Sequence, residues 1–181
     1  MATNDVCEKI LISSDQIMNR VKELGEKISD DYDNQEIVFV SILNGSFMFT
    51  SDLMKYITTD CIVDFMQIST YGNDTSTSGQ FVIKKDLSFD IENKNVIIVE
   101  DIIDSGYTLS KLIKYLEEKN PASLKIATLI DKPARRKMEV NADYVGFILN
   151  EDYFIVGYGL DYGQKYRNLP YVGVLEEHIY S

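Results

Sequence analysis

The chain has 181 residues, 45% of them hydrophobic and 26% charged. That balance belongs to a globular protein rather than a disordered chain or a fibre, and the length suits one domain over residues 1–181 that needs no disulfide or metal staple. A net charge of −11 repels phosphate backbones and argues against nucleic acid as a partner, while two distant cysteines (Cys7, Cys61) and one histidine (His178) exclude a disulfide framework and a multi-histidine zinc site.

The opening MATNDVCEKILISS has no basic stretch followed by a long apolar run, so no signal peptide is expected. No apolar run approaches the ~20 residues that span a bilayer. Low cysteine use adds to the expectation of a cytoplasmic protein without a membrane partner. After Ser14 and Asp15, the residues Ile17, Val21, Leu24 and Ile28 fall on one face of a helix. Asp30 to Asn34 is a polar break, and Glu36 to Leu43 (EIVFVSIL) is apolar on successive positions, which predicts a strand buried on both faces. Asn44-Gly45-Ser46 turns into a second helix with Phe47, Leu53, Met54 and Ile57 directed at the core.

Cys61 to Ser69 is a further predicted strand. Residues 71–79 (YGNDTSTSG) contain no aliphatic side chain to offset ordering entropy, which predicts a mobile loop. Short strands are expected at Phe81–Ile83 and, most strongly, Asn95–Val99. Leu109, Leu112, Ile113 and Leu116 then mark a helix that ends before Asn120-Pro121. Leu124–Ile130, Tyr144–Leu149 and a short Ile155-Val156 complete the strands. Strands alternating with helices predict an α/β fold with a parallel sheet flanked by helices.

Chemistry concentrates in residues 96–109, V-I-I-V-E-D-I-I-D-S-G-Y-T-L. A buried strand ends on Glu100 and Asp101, Asp104 follows, and a small-residue turn opens a helix. Ligands of open α/β sheets sit beyond the carboxyl ends of the strands. There Asp104, Ser105, Gly106, Tyr107 and Thr108 supply backbone N–H groups that can cradle a phosphate. The acids suit a ligand carrying both a phosphate and a polyol, or a bound Mg²⁺. Capping of the helix by Asp104 or Ser105 is the plainer alternative, weakened by three acids in one segment. No GxxxxGK[ST] occurs, which removes a P-loop, and no phosphate-accepting aspartate on a separate strand end supports a receiver domain. Taken alone, Lys132 is an ordinary exposed strand-end lysine, and Phe154 an ordinary core residue.

VEDIIDSGYTL resembles the phosphoribosyl-pyrophosphate signature of the type I phosphoribosyltransferases, and other segments resemble the hypoxanthine-guanine phosphoribosyltransferases in order from about Ile37 to Leu175. The resemblance implies a parallel sheet flanked by helices with a small hood formed by the terminal segments. It also implies transfer of a phosphoribosyl group to N9 of a 6-oxopurine, with Mg²⁺ as cofactor and a homodimer or homotetramer as assembly. Leu43-Asn44-Gly45-Ser46 is similar to the family's pyrophosphate loop, often built around a cis peptide, and Arg167 falls where the family has a pyrophosphate-contacting arginine. Ser69-Thr70-Tyr71-Gly72 resembles the start of a mobile catalytic loop, implying a catalytic role for Tyr71. Glu100, Asp101, Asp104, Ser105, Gly106, Tyr107 and Thr108 would hold the phosphoribosyl part. Asp104 would manage the proton at purine N7. Asp131-Lys132-Pro133 resembles the segment whose lysine contacts the 6-oxo group. Phe154 would stack on the base, beside Ile155 and Asp161, and Glu100, Asp101 and Asp161 would be the metal contacts. Asn44 departs from a frequent lysine, and so does Tyr107. The resemblance leaves open a xanthine-preferring enzyme or a non-catalytic regulator that binds the same phosphoribosyl compound.

Overall fold

Local signals account for the first helix of the structure, a computed structural model that describes residues 6–71 and 80–181. Helix α1 (Ser14–Asp31) is capped by Ser13, whose hydroxyl accepts the Gln16 N–H while the Gln16 side chain accepts the Ser13 N–H. Ile17, Val21, Leu24 and Ile28 are all buried, as their spacing predicts. Strand β1 (Cys7–Ile12) precedes α1, and β2 (Ile37–Leu43) follows it, buried along nearly its whole length. Then come α2 (Phe47–Met54), β3 (Cys61–Tyr71), β4 (Gln80–Lys85), β5 (Asn95–Ile103), α3 (Tyr107–Glu117) and β6 (Ser123–Asp131). A 3-10 turn (Pro133–Arg135), β7 (Tyr144–Ile148), β8 (Ile155–Val156), β9 (Val172–Leu175) and the short α4 (Glu177–Tyr180) complete the chain.

The central sheet has the order β4-β3-β2-β5-β6-β7 and is parallel except for the edge strand β4. Helices α1 and α2 cover one face, packed on Phe39, Ile97 and Val99, and α3 covers the other, packed on Val38, Val40 and Ile98. Strands β1, β9 and β8 form a second, antiparallel sheet. This is the hood. Its Ile155, Leu160 and Val172 join the same buried cluster as Ile37 and Ile97, so the two sheets share a core.

Three departures from the sequence reading have physical causes. Phe47 is 43% exposed, whereas Phe49 and Leu53, four residues apart, face the core. A residue two positions from Phe49 points to the opposite side of the helix. Strand β5 does not end before the acids but runs through them to Ile103, because β6 keeps pairing with it from Glu100↔Thr128 to Ile103↔Asp131. Strands β1 and β9 were not foreseen at all. Half of β1 is exposed, in one run of three residues, so its burial does not alternate cleanly. The loop expected to be mobile lies, apart from Tyr71, outside the described residues.

One feature of the topology positions the site. The chain leaves β2 through α2 toward β3 on one side, and leaves β5 through α3 toward β6 on the other. Pairing of β2 with β5 stops at Ser41↔Val99. Beyond that point the two strands part, which is the switch point at which open α/β sheets bind ligands.

Candidate active site

At this parting opens a cleft of about 320 Å³, with Asn44, Gly45, Glu100, Asp101, Asp104, Ser105, Gly106, Thr108, Asp161 and Arg167 in its wall. A second hollow of about 310 Å³ adjoins it, walled by Lys132, Arg135, Tyr153, Phe154, Ile155 and Leu160. The two share Asp101, Ile102, Asp104 and Asp161, so they are lobes of one site. A larger hollow of about 530 Å³ lies at the amino ends of β2 and β3, lined by Asp30, Asp33, Glu36 and Asp60 among others. It sits at the wrong end of the sheet for a ligand, and its carboxylates would repel an anion.

In the first lobe, Gly106 begins α3 in the left-handed conformation (φ 81°), with no side chain capping the helix. Asp104 makes no cap to α3, and Ser105 meets only the first helical N–H, its hydroxyl accepting from Tyr107 at a long 3.5 Å. The helix start beside the lobe thus keeps N–H groups without a partner within the helix, as a phosphate cradle requires. Facing them, the peptide between Leu43 and Asn44 is cis. Gly45 packs so tightly on Asp101 that a methyl group there would overlap the carboxylate. Its carbonyl abuts Gly159 of the hood, where a methyl group would again collide. Arg167 donates to the Gly159 carbonyl at 2.6 Å and pairs with Asp161 at 2.8 Å. Loop, acid and hood are thus locked together by close backbone contact.

Burial is the main force on the acid pair. It pushes Glu100 well above the usual carboxylate range, with the neighbouring charge of Asp101 adding to the rise. It raises Asp101 to about 6, against the opposing pull of the Ile102 N–H and of Arg167. This has a consequence for stability. The folded chain keeps the Asp101 proton up to about pH 6, whereas the unfolded carboxyl releases it near its ordinary 3.8. The contribution is therefore complete below that ordinary value, falls as pH rises through the window, and is gone above about pH 6. Asp101→Asn keeps an acceptor for the Ile102 N–H and removes the buried charge. At pH 8 its melting temperature should rise by about 5 °C, and near pH 3.5 the gain should disappear. A lower melting temperature at pH 8 would contradict the burial of that charge.

In the second lobe two residues behave opposite to their isolated sequence reading. Lys132 is only 4% exposed, and its Nζ donates to the Tyr153 carbonyl at 3.0 Å and approaches Asp152 Oδ1 at 3.4 Å. Phe154 is 40% exposed. Its ring stacks on Tyr180 (centroids 4.9 Å, 19°) and meets Tyr162 edge-on. Ile155 is buried and belongs to the same wall.

Of the residues expected from the sequence, Leu43, Asn44, Gly45, Glu100, Asp101, Asp104, Ser105, Gly106, Thr108, Asp161 and Arg167 wall the first lobe, and Lys132, Phe154 and Ile155 the second. Tyr107 opens α3 but is not among the residues that wall either lobe. Tyr71 ends β3, and its side chain lies outside the described residues. Among the described residues no group of three or more His, Cys, Asp or Glu could by itself hold a metal ion. Sequence reasoning missed Arg135, whose Nε stands 2.8 Å from Asp104 Oδ1, and Tyr180 behind Phe154.

The family described as phosphoribosyl transferase domain matches residues 12–163. The chain is 46% identical to the hypoxanthine-guanine phosphoribosyltransferase of Bacillus subtilis, over 100% of this chain and 99% of that protein. It is also 46% identical to the bifunctional protein TilS/HprT of Listeria monocytogenes, covering 98% of this chain but only 27% of that longer protein. A crystal structure of a hypoxanthine phosphoribosyltransferase from Staphylococcus aureus superposes with a TM-score of 0.96 at 45% identity, covering 100% of this chain and 98% of that one. With a switch-point cleft, a glycine-opened helix start and a full-length likeness of this degree, the chain belongs to the hypoxanthine-guanine phosphoribosyltransferase family.

Proposed function

We propose that this protein is a purine-salvage enzyme that transfers the phosphoribosyl group of phosphoribosyl pyrophosphate to N9 of hypoxanthine, and also of guanine, giving IMP or GMP and pyrophosphate. The observation that carries this reading is the two-lobed site, a phosphate-type lobe and a base-type lobe that share Asp101, Asp104 and Asp161. The first N–H groups of α3, with the Ser105 and Thr108 hydroxyls, hold the sugar phosphate. Glu100 and Asp101 hold the ribose hydroxyls. Backbone groups of Leu43, Asn44 and Gly45, with Arg167, hold the pyrophosphate. Lys132 donates to the 6-oxo group and Phe154 stacks on the ring, a contact worth ~1–3 kcal/mol. Asp104, walling both lobes, takes the proton from N7 as N9 forms its bond. Tyr71 is proposed to act from the catalytic loop, which closes to exclude water.

Mg²⁺ fits this donor set: two adjacent half-buried acids form part of an oxygen shell that ribose and pyrophosphate oxygens complete, with Asp161 in the wall of both lobes. When bound, it would stabilise the charge that develops on the leaving pyrophosphate. In an assay with phosphoribosyl pyrophosphate, Mg²⁺ and each purine in turn, hypoxanthine and guanine should be consumed. Xanthine as the preferred base, or no transfer to any base, would overturn the reading. Activity should vanish in excess chelator and return with added Mg²⁺, since the acids would otherwise face the pyrophosphate charge unscreened; full activity after chelation contradicts the metal assignment. The protein is proposed to work as one domain over residues 1–181, in the cytoplasm, as a homodimer or homotetramer. Among the described residues no helix is long and apolar enough to cross a membrane.

A further inference from the structure

Arg135 closes the 3-10 turn that begins next to Lys132, and its backbone N–H donates to the Lys132 carbonyl at 3.1 Å. Its guanidinium lies between two acids, with Nε 2.8 Å from Asp104 Oδ1 and Nη1 donating to Asp152 Oδ1 at 2.6 Å. The same Asp152 oxygen stands 3.4 Å from Lys132 Nζ. Asp104, Arg135, Asp152 and Lys132 therefore form one chain of alternating charge along the base lobe. The next residue, Arg136, grips the backbone of the same aspartate, its Nε donating to the Asp104 carbonyl at 3.1 Å. Asp104 Oδ1 is buried and accepts no hydrogen bond, yet the Asp104 side chain as a whole is 42% exposed. Its exposure therefore belongs to the rest of the side chain, which is part of the wall of both lobes.

On a purine, N7 and the 6-oxo group lie side by side on one edge. We infer that Arg135 is a positioning residue: it turns Asp104 so that one oxygen is held inward and the other is presented to N7, and through Asp152 it fixes the spacing between that oxygen and the Lys132 ammonium. The inference rests on the proposed function, since N7 and the 6-oxo group are features of its substrate. Half-exposed ion pairs stabilise a fold by little, so the contribution of Arg135 is one of orientation, for which small displacements carry large rate effects.

Steady-state kinetics on Arg135→Ala, Arg135→Lys, Asp104→Asn and the Arg135→Ala/Asp104→Asn double variant decide the matter. Arg135→Ala should lower kcat/KM for hypoxanthine about tenfold, leave KM for phosphoribosyl pyrophosphate unchanged and barely move the melting temperature. Arg135→Lys should recover only part of the loss, because an ammonium lacks the fork that reaches two acids at once. On the Asp104→Asn background, loss of Arg135 should change the rate less than about twofold, since the two residues act as a unit. An Arg135→Ala enzyme indistinguishable from wild type, or losses that simply multiply in the double variant, would overturn the assignment while leaving the activity itself intact. A wild type inactive on every purine would overturn the reading of the site, and this assignment with it.

Discussion

Asp104→Asn should lower kcat by about 10²–10⁴, the usual scale of general acid–base catalysis. The substitution keeps the shape of the side chain and removes the proton acceptor. The fold has little reason to respond. Asp104 does not cap α3, a place taken by Gly106, and its one short charged contact is with a half-exposed Arg135. Its backbone anchor, the carbonyl that accepts from Arg136, is indifferent to the change. Measured kcat at saturating substrates, beside a melting curve, separates chemistry from folding. A near-wild-type kcat removes Asp104 from the proton transfer, and a large fall in melting temperature with the rate returns it to a structural role.

Adenine should be a very poor substrate, by ~10⁴ or more in kcat/KM relative to hypoxanthine. An ammonium donates hydrogen bonds and accepts none. Lys132 can therefore meet a 6-oxo acceptor but not a 6-amino donor. Burial sharpens the distinction: at 4% exposure, the lysine has no room to turn its unsatisfied N–H groups to water. Lys132→Ala should lower kcat/KM for hypoxanthine by the equivalent of about 1.5–3 kcal/mol, the scale of a hydrogen bond to a charged group, and should narrow its advantage over adenine. The decisive measurement is kcat/KM for both bases on both proteins. Equal use of the two bases by wild type defeats the 6-oxopurine assignment, and an unchanged ratio in Lys132→Ala takes Lys132 out of base selection.

How much of this was legible depended on where each signal was local. Helix α1 is written in its four-residue spacing, and its capping box, Ser13 with Gln16, is readable three residues apart. The buried strands β2 and β5 show as continuous apolar runs because both of their faces are covered. The acids and the DSG turn were recognisable because a buried strand carrying adjacent carboxylates has no structural use for them. Strands β1 and β9 escaped because they pair with each other from opposite ends of the chain, and β1 buries little. The burial of Lys132 was invisible for a similar reason: its partners, Asp152 and Tyr153, arrive from a loop about twenty residues away. Arg135 looked like any surface charge until the turn brought it against Asp104.

The tether between Lys132 Nζ and the Tyr153 carbonyl bears on the thermodynamics of recognition. A free lysine surrenders up to about 2 kcal/mol of rotamer freedom when it is immobilised. Here that loss is incurred when the chain folds, as the side chain is packed against the hood. A base arriving in the lobe meets a donor already frozen in place, so the entropy of ordering it is absent from the binding step. Affinity for a small, rigid ring thus draws on the stability of the whole domain, and a substitution that loosened the Tyr153 loop would weaken purine binding without touching any atom that meets the purine.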